Sequence, residues 1–407
     1  MGKILRQTSW LFSAQLLGRV IGFFYTIFLA RSFSVEDFGL FSAALAYFSL
    51  VSAIADFGFN RYLIREVARD HFKSSTLLAN ISLLRITFTA AIFAIFSLAI
   101  YSLDPDKFRV CLTQLAILAV LPQSIALTAD AIFVAREKLQ FSAVSLIVLN
   151  ISTTILGVWF ISSGFGPIGG VSALLLGQII YVGMLVILLH HHHISFLSVV
   201  NSQILKTIIK GSLPYGLLGI LGLLYFRIDL LLLTYIQGNF AAGIYGAAYK
   251  FLEAIIFVPS SLATALFPVL ARLHDNDRQN IKRLYFQSLK LMFVLGIAIM
   301  VSYILVLPTV IRLILPNYLP AIEVIKILAL TIPFMFIHVP GAQVLLSTDK
   351  YLKQILFLSI GTLSFNIILN LLLIPKYGFM GAAWVTVASE ALSFLVFFSL
   401  LRVKILR

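Results

Sequence analysis

Arg227 and Asp229 stand two residues apart in Tyr225-Phe226-Arg227-Ile228-Asp229, in the middle of an apolar stretch from about Ser212 to Ile236. An ionised side chain at bilayer depth costs at least about 2.5–3.5 kcal/mol, so each of these needs a partner or water. Guanidinium is a planar fork of donors that suits phosphate. A carboxylate can carry a proton or a cation. The run points to an internal polar cavity, and so to transport rather than anchorage. Arg19 occupies the middle of the first apolar run. It precedes Gly39 by 20 residues, and Arg227 precedes Gly243 by 16. The difference is one helical turn, so the two arginines would present the same face of two related helices. They could grip an anionic headgroup, or each could be neutralised locally, Arg19 by Asp56 and Arg227 by Asp229.

Lys250 and Glu253 lie at i, i+3 on one helix face, and Glu390 sits near the middle of the last apolar run. The candidate substrate-binding residues are therefore Arg19, Arg227 and Lys250. The candidate ion-coupling residues are Asp229, Glu253 and Glu390, with bundle-holding ion pairs as the plainer role. Asp56, Asp130 and Arg85 fall near the ends of spans, where snorkelling or local pairing explains them.

The elements that must hold these residues are membrane helices. The chain of 407 residues is 60% hydrophobic and 11% charged, against about 25% charged for a soluble domain. About 20 apolar residues cross a bilayer as a helix. Twelve spans follow, near residues 10–29, 39–57, 77–101, 110–134, 141–161, 168–189, 212–236, 243–270, 285–307, 321–346, 352–374 and 379–401. Prolines such as Pro122, Pro259, Pro308, Pro333 and Pro340 fall in or beside spans and are expected to kink or break them. Basic residues gather in alternate loops, Arg61, Arg65, Arg69 and Lys73 among them, with a bias of about three to one that predicts both termini in the cytoplasm. The net charge of +14 is explained by those loops, so nucleic-acid binding is not expected.

The longest break runs from His190 to Gly211. Its four consecutive histidines do not share a helix face and have no cysteine or carboxylate close by, which favours an interfacial linker over a metal site. Ile204, Leu205, Ile208 and Ile209 beside Lys206 and Lys210 read as an amphipathic stretch on the cytoplasmic face. Residues 190–211 would link an N-terminal lobe, 1–189, to a C-terminal lobe, 212–407. The lobes echo each other. Gly39-Leu-Phe-Ser-Ala-Ala matches Gly243-Ile-Tyr-Gly-Ala-Ala, and Gly166-Pro-Ile-Gly-Gly matches Gly378-Phe-Met-Gly-Ala, at offsets of 204 and 212. Six spans per copy imply parallel repeats. The expected fold is an all-α membrane protein of twelve transmembrane helices in two pseudo-symmetric lobes around a central cavity.

Cys111 is the only cysteine, so no internal disulfide forms. No small-residue cleavage site follows the first apolar run, so it reads as a span rather than a signal peptide. No Walker loop is present, and no acid–base or His/Cys constellation suggests catalysis. Neither an enzyme nor a cofactor is expected.

Several phrases carry a family resemblance: Leu29-Ala-Arg31 through Glu36-Asp-Phe-Gly39-Leu-Phe, Ala55-Asp-Phe-Gly58 through Arg61-Tyr-Leu-Ile-Arg65-Glu-Val-Ala-Arg69, Tyr225-Phe-Arg227-Ile-Asp229, Gly243-Ile-Tyr245-Gly-Ala-Ala-Tyr-Lys250, and Asn370-Leu-Leu-Leu-Ile-Pro375-Lys-Tyr-Gly378. In their order and spacing the chain resembles the polysaccharide-export flippases, the Wzx-like O-antigen and repeat-unit transporters. Their superfamily also holds multidrug-and-toxin extruders and the lipid II flippase. The resemblance implies translocation of a polyprenyl-diphosphate-linked oligosaccharide across the cytoplasmic membrane by alternating access, coupled to H+ or Na+. Surrounding lipids, glycan polymerases and glycosyltransferases are the implied partners. A cation-coupled drug antiporter and a non-transporting scaffold for glycan synthesis are the alternatives.

Overall fold

The computed structural model describes residues 2–196, 198–273, 278–347 and 349–406. These are helical almost throughout, with no strand among the described residues. Hydrocarbon offers backbone amides no water, so an apolar chain must satisfy them within each helix. In chain order the helices are α1 (Gly2–Ser32), α2 (Val35–Asp56), α3 (Phe59–Arg69), α4 (Ser74–Leu103), α5 (Lys107–Leu118), α6 (Val120–Ala135), α7 (Leu139–Ser162), α8 (Gly166–His191), α9 (Ser202–Ile255), α10 (Phe257–Leu273), α11 (Arg278–Ile314), α12 (Ala321–Ala329), α13 (Thr331–Leu346) and α14 (Leu352–Leu401).

Among the described residues, ten helical segments are long and apolar enough to cross a membrane, against the twelve spans expected. The difference lies in Ser202–Ala263 and Leu352–Ile405, of 62 and 54 residues, each of which takes in two expected spans. Each holds one glycine whose backbone is not helical: Gly238 at φ 84°, ψ −178° and Gly378 at φ 55°, ψ −138°. Side-chain-bearing residues rarely enter that region. Gly166, the repeat partner of Gly378, has φ 53° where α7 gives way to α8. The matched glycines thus share a left-handed φ.

Three prolines mark internal breaks. Ala119, Ile256 and Leu330 each donate a tightened i→i−3 bond, at 3.2, 3.3 and 3.0 Å. Pro122, Pro259 and Pro333 follow each break by three residues, in the first turn of the next helix, where a missing N–H costs little. Pro308 and Pro340 instead lie inside α11 and α13.

The chain divides into two compact units: Met1–Phe33 with Leu40–Leu223, and Ser34–Gly39 with Leu224–Arg407. In the first, α1 lies along α7 through small residues: Gly18 meets Asn150, and Gly157 meets the Tyr25 hydroxyl. The amphipathic α3 buries Phe59, Tyr62, Leu63 and Val67 and exposes Arg61, Arg65 and Arg69. Ile208 is buried in the same core, with Ile204 packed on it. Residues 202–211 form the first turns of α9, with Ile208 buried and Ile209 exposed. The preceding link is tied down by Asn80, which donates to the Val199 carbonyl at 2.9 Å and accepts from the Asn201 amide at 3.2 Å. Arg85 is fully buried; it pairs with Asp56 and donates to the Ser124 carbonyl at 2.9 Å. That is the local pairing expected of these two residues, and it leaves Asp56 to Arg85 rather than to Arg19.

Candidate functional site

The second unit holds two adjoining clusters of ionisable and polar residues. The first is built on α9. Glu253 accepts from Arg227 at 2.5 Å and from Lys250 at 2.8 Å. The i, i+3 pair expected from spacing is present. Arg227 does not pair with Asp229, because residues two apart on a helix point to different faces; its partner comes from 26 residues further on. Two cations meet one carboxylate, so the cluster keeps a surplus positive charge. All three side chains are about a quarter exposed, at 21% for Arg227, 26% for Lys250 and 25% for Glu253, and so reach the surface of their unit. The Arg227 Nε is buried and unpartnered among the described residues.

The second cluster surrounds Asp229. Asn370 donates to its carboxylate at 2.6 Å, Thr386 at 2.8 Å and Tyr245 at 3.1 Å. Asn370 also donates to Asn366 at 3.0 Å, and Asn366 to Ser389 at 3.3 Å. The Asn370 Oδ1 is buried with no donor among the described residues. The result is a buried carboxylate that accepts from one amide and two hydroxyls, with no basic side chain hydrogen-bonded to it among the described residues. Glu390 is buried one turn along α14 from Thr386, and the Tyr225 hydroxyl lies 3.4 Å from that of Ser393. His338 packs edge-on against Phe397 nearby, with ring centroids 4.7 Å apart.

The structure therefore brings Arg227, Lys250 and Glu253 together, and sets Asp229 and Glu390 in the neighbouring network. Arg19 belongs to the other unit, where it is exposed on α1. Sequence reading by charge missed Tyr225, Tyr245, Asn366, Asn370, Thr386 and Ser393. Part of the signal was there: Asn366 and Asn370 are i, i+4, and Thr386, Ser389, Glu390 and Ser393 form one polar stripe on an otherwise apolar helix.

Comparison with known proteins adds family evidence. The family model described as polysaccharide biosynthesis protein matches residues 4–274, and the one described as MatE matches residues 214–372. An uncharacterized membrane protein of Methanocaldococcus jannaschii is 26% identical, across 95% of this chain and 81% of its own length. The probable flippase AglR of Haloferax volcanii is 24% identical, across 96% of this chain and 82% of its own. In fold the chain is similar to an inward-facing multidrug resistance MATE family transporter of the MOP superfamily, with a TM-score of 0.78 at 15% identity over 95% of this chain and 94% of that one. It is also similar to the lipid II flippase MurJ in its inward closed conformation, at 0.73 and 18% identity over 96% and 87%.

Proposed function

Because the chain belongs to the polysaccharide biosynthesis protein family, we propose that it is a flippase. It carries a polyprenyl-diphosphate-linked oligosaccharide, such as an O-antigen or capsule repeat unit, across the cytoplasmic membrane by alternating access. The reading rests on the Arg227–Glu253–Lys250 cluster: two cations on one carboxylate leave a partly exposed positive charge. Bidentate guanidinium suits a diphosphate. A probable flippase among the relatives aligned along nearly the whole chain supports the same reading. Arg19, exposed on α1, is a further guanidinium assigned to the substrate in this proposal.

The Asp229 network is the coupling site in this proposal. Its oxygen atoms hold Na+ or, with Asp229 or Glu390 protonated, H+, and the ion gradient resets the carrier. The long segments Ser202–Ala263 and Leu352–Ile405 each fold back at their glycine, so the chain crosses twelve times with both termini in the cytoplasm. The protein is then a carrier with no chemical step of its own. The MatE match over residues 214–372 favours a second reading, a cation-coupled drug antiporter. Surplus positive charge in the Arg227 cluster weighs against a cationic drug there, while Asp229 and Glu390 place acids beside it.

Liposomes with a fluorescent lipid-linked oligosaccharide in the inner leaflet decide between them. The wild type is expected to move it outward under an ion gradient, and Arg227→Ala to stop transport while inserting and folding normally. Undiminished translocation by that variant would refute the assigned role. Extrusion of cationic dyes without movement of the glycan would favour the antiporter.

A further inference from the structure

The two limbs of α14, on either side of Gly378, are expected to start and finish at the same membrane surface. Near that end they border an apolar groove of about 590 Å³. Its walls are Phe357 and Leu358 on one limb and Leu395, Val396, Leu400 and Val403 on the other. Phe357, Leu395 and Val403 are more than half exposed, at 74%, 57% and 55%. Val403 lies in a π-helical turn, Arg402–Leu406, that continues the helix. Such turns are rare and often sit at functional sites.

Three basic residues stand next in sequence to residues that line this groove. Lys353 stands one residue before its polar lip at Gln354, and Arg402 and Lys404 flank Val403; all three basic side chains are exposed. Their charges lie where the loop bias puts the cytoplasmic headgroup region. Apolar walls with exposed cations adjoining them in the chain match one kind of molecule, an amphiphile with a long chain and an anionic head. Basic pockets between membrane helices on the cytoplasmic side hold anionic lipid headgroups in this way.

We propose that the groove binds an anionic phospholipid of the cytoplasmic leaflet. One acyl chain lies along the apolar walls, and the anionic headgroup lies in the field of the exposed cations Lys353, Arg402 and Lys404. The inference goes beyond the flippase reading and is read by lipid retention rather than by translocation, so either can fail alone.

The test is native mass spectrometry of the full chain, released from detergent containing equal amounts of phosphatidylglycerol and phosphatidylcholine with the same acyl chains. The wild type is expected to retain phosphatidylglycerol several-fold over phosphatidylcholine, and raised salt to erode the preference. The combined Lys353→Gln, Arg402→Gln and Lys404→Gln variant is expected to lose it while remaining monodisperse; Arg402→Gln alone should weaken it, which covers a triple variant that fails to fold. Leu358→Trp, which fills the groove, is expected to lower retention of both lipids. Equal retention of the two lipids by the wild type, or a preference unchanged in the glutamine variants, would overturn the proposal. Displacement of phosphatidylglycerol by an equimolar polyprenyl phosphate would overturn it too, by assigning the groove to the carried lipid.

Discussion

Gly39 and Gly243 interlock reciprocally. A methyl group built on Gly39 would stand 1.9 Å from the carbonyl oxygen of Asn239, and one on Gly243 would stand 2.0 Å from that of Val35. Asn239 precedes Gly243 by four residues, and Val35 precedes Gly39 by four. The contact is therefore symmetric in the internal repeat: each glycine receives the backbone one turn before the other. Only a residue without Cβ permits this approach. Gly39→Ala and Gly243→Ala are each expected to destabilise by about 1–3 kcal/mol, as overpacking does. Gly22→Ala and Gly219→Ala, which meet nothing within 4 Å, should be neutral or mildly stabilising. Apparent melting temperatures in detergent check this, and similar values for all four variants would dissolve the interlock.

A charge argument predicts how the Arg227 cluster responds. Arg227→Gln leaves Glu253 with Lys250, a neutral pair, so the fold should survive while the surplus positive charge vanishes. Glu253→Gln leaves two cations with no carboxylate between them and should lower stability by roughly 2 kcal/mol or more. The double variant Arg227→Gln with Glu253→Gln should recover part of that loss without recovering transport. Thermal stability and liposome translocation, measured side by side, test the scheme. It would collapse if Glu253→Gln proved as stable as wild type.

Much of this was legible in the sequence, and what was not has a physical reason. Span length and loop charge marked the membrane segments, because bilayer thickness sets one and orientation the other. The Lys250–Glu253 pair followed from helix geometry alone. The Arg227–Glu253 and Asp229–Asn370 contacts join residues 26 and 141 apart, and no local rule fixes which turns of which helices meet. Asn370 and Thr386 are also uncharged, so reading by charge passed over them, although they complete the shell of Asp229.

Asp229→Asn tests the oxygen network with almost no change in shape. The amide still accepts from Asn370 or Thr386 but brings no charge for a cation or an exchangeable proton. Its effect is expected on the ion-gradient dependence of transport, which should flatten, with substrate binding within about twofold of wild type (a difference of about 0.4 kcal/mol). Asn370→Ala, which removes one donor to Asp229 and the orphaned Oδ1, should act in the same direction. If Asp229→Asn kept the full response to an ionophore, coupling would have to lie elsewhere.

His192 gives the chain a pH dependence of calculable sign. Its ring lies 4.8 Å from Phe141 and 5.8 Å from Phe133, with Nδ1 3.2 Å from the Lys138 ammonium. Burial first, then Lys138, holds the imidazole below its ordinary pKa, which is about 6.5. The unfolded chain then binds the proton more readily than the folded one, so this group makes stability rise with pH through that window and fall on acidification. The effect should be small because the ring is partly exposed and screened. His192→Gln is expected to shallow the melting-temperature slope between about pH 5 and 7. Parallel slopes for the two proteins would rule His192 out as the source.

Arg85 is a fully buried charge in the first unit and tests whether its ion pair is structural. Its side chain is 1% exposed, and that of Asp56, its partner, is 30% exposed. Arg85→Met strands the Asp56 carboxylate, while Thr128 still donates to the Ser124 carbonyl, and should cost roughly 3 kcal/mol, the low end for a broken buried pair because Asp56 reaches some solvent. Removing Asp56 as well, with Asp56→Leu, should restore a good part of the loss, since an apolar replacement for both partners carries no unpaired charge. Transport by the double variant should then be close to wild type, because the coupling and substrate sites proposed above do not use this pair. A double variant that folds well yet cannot translocate would instead give Arg85 and Asp56 a place in the transport cycle.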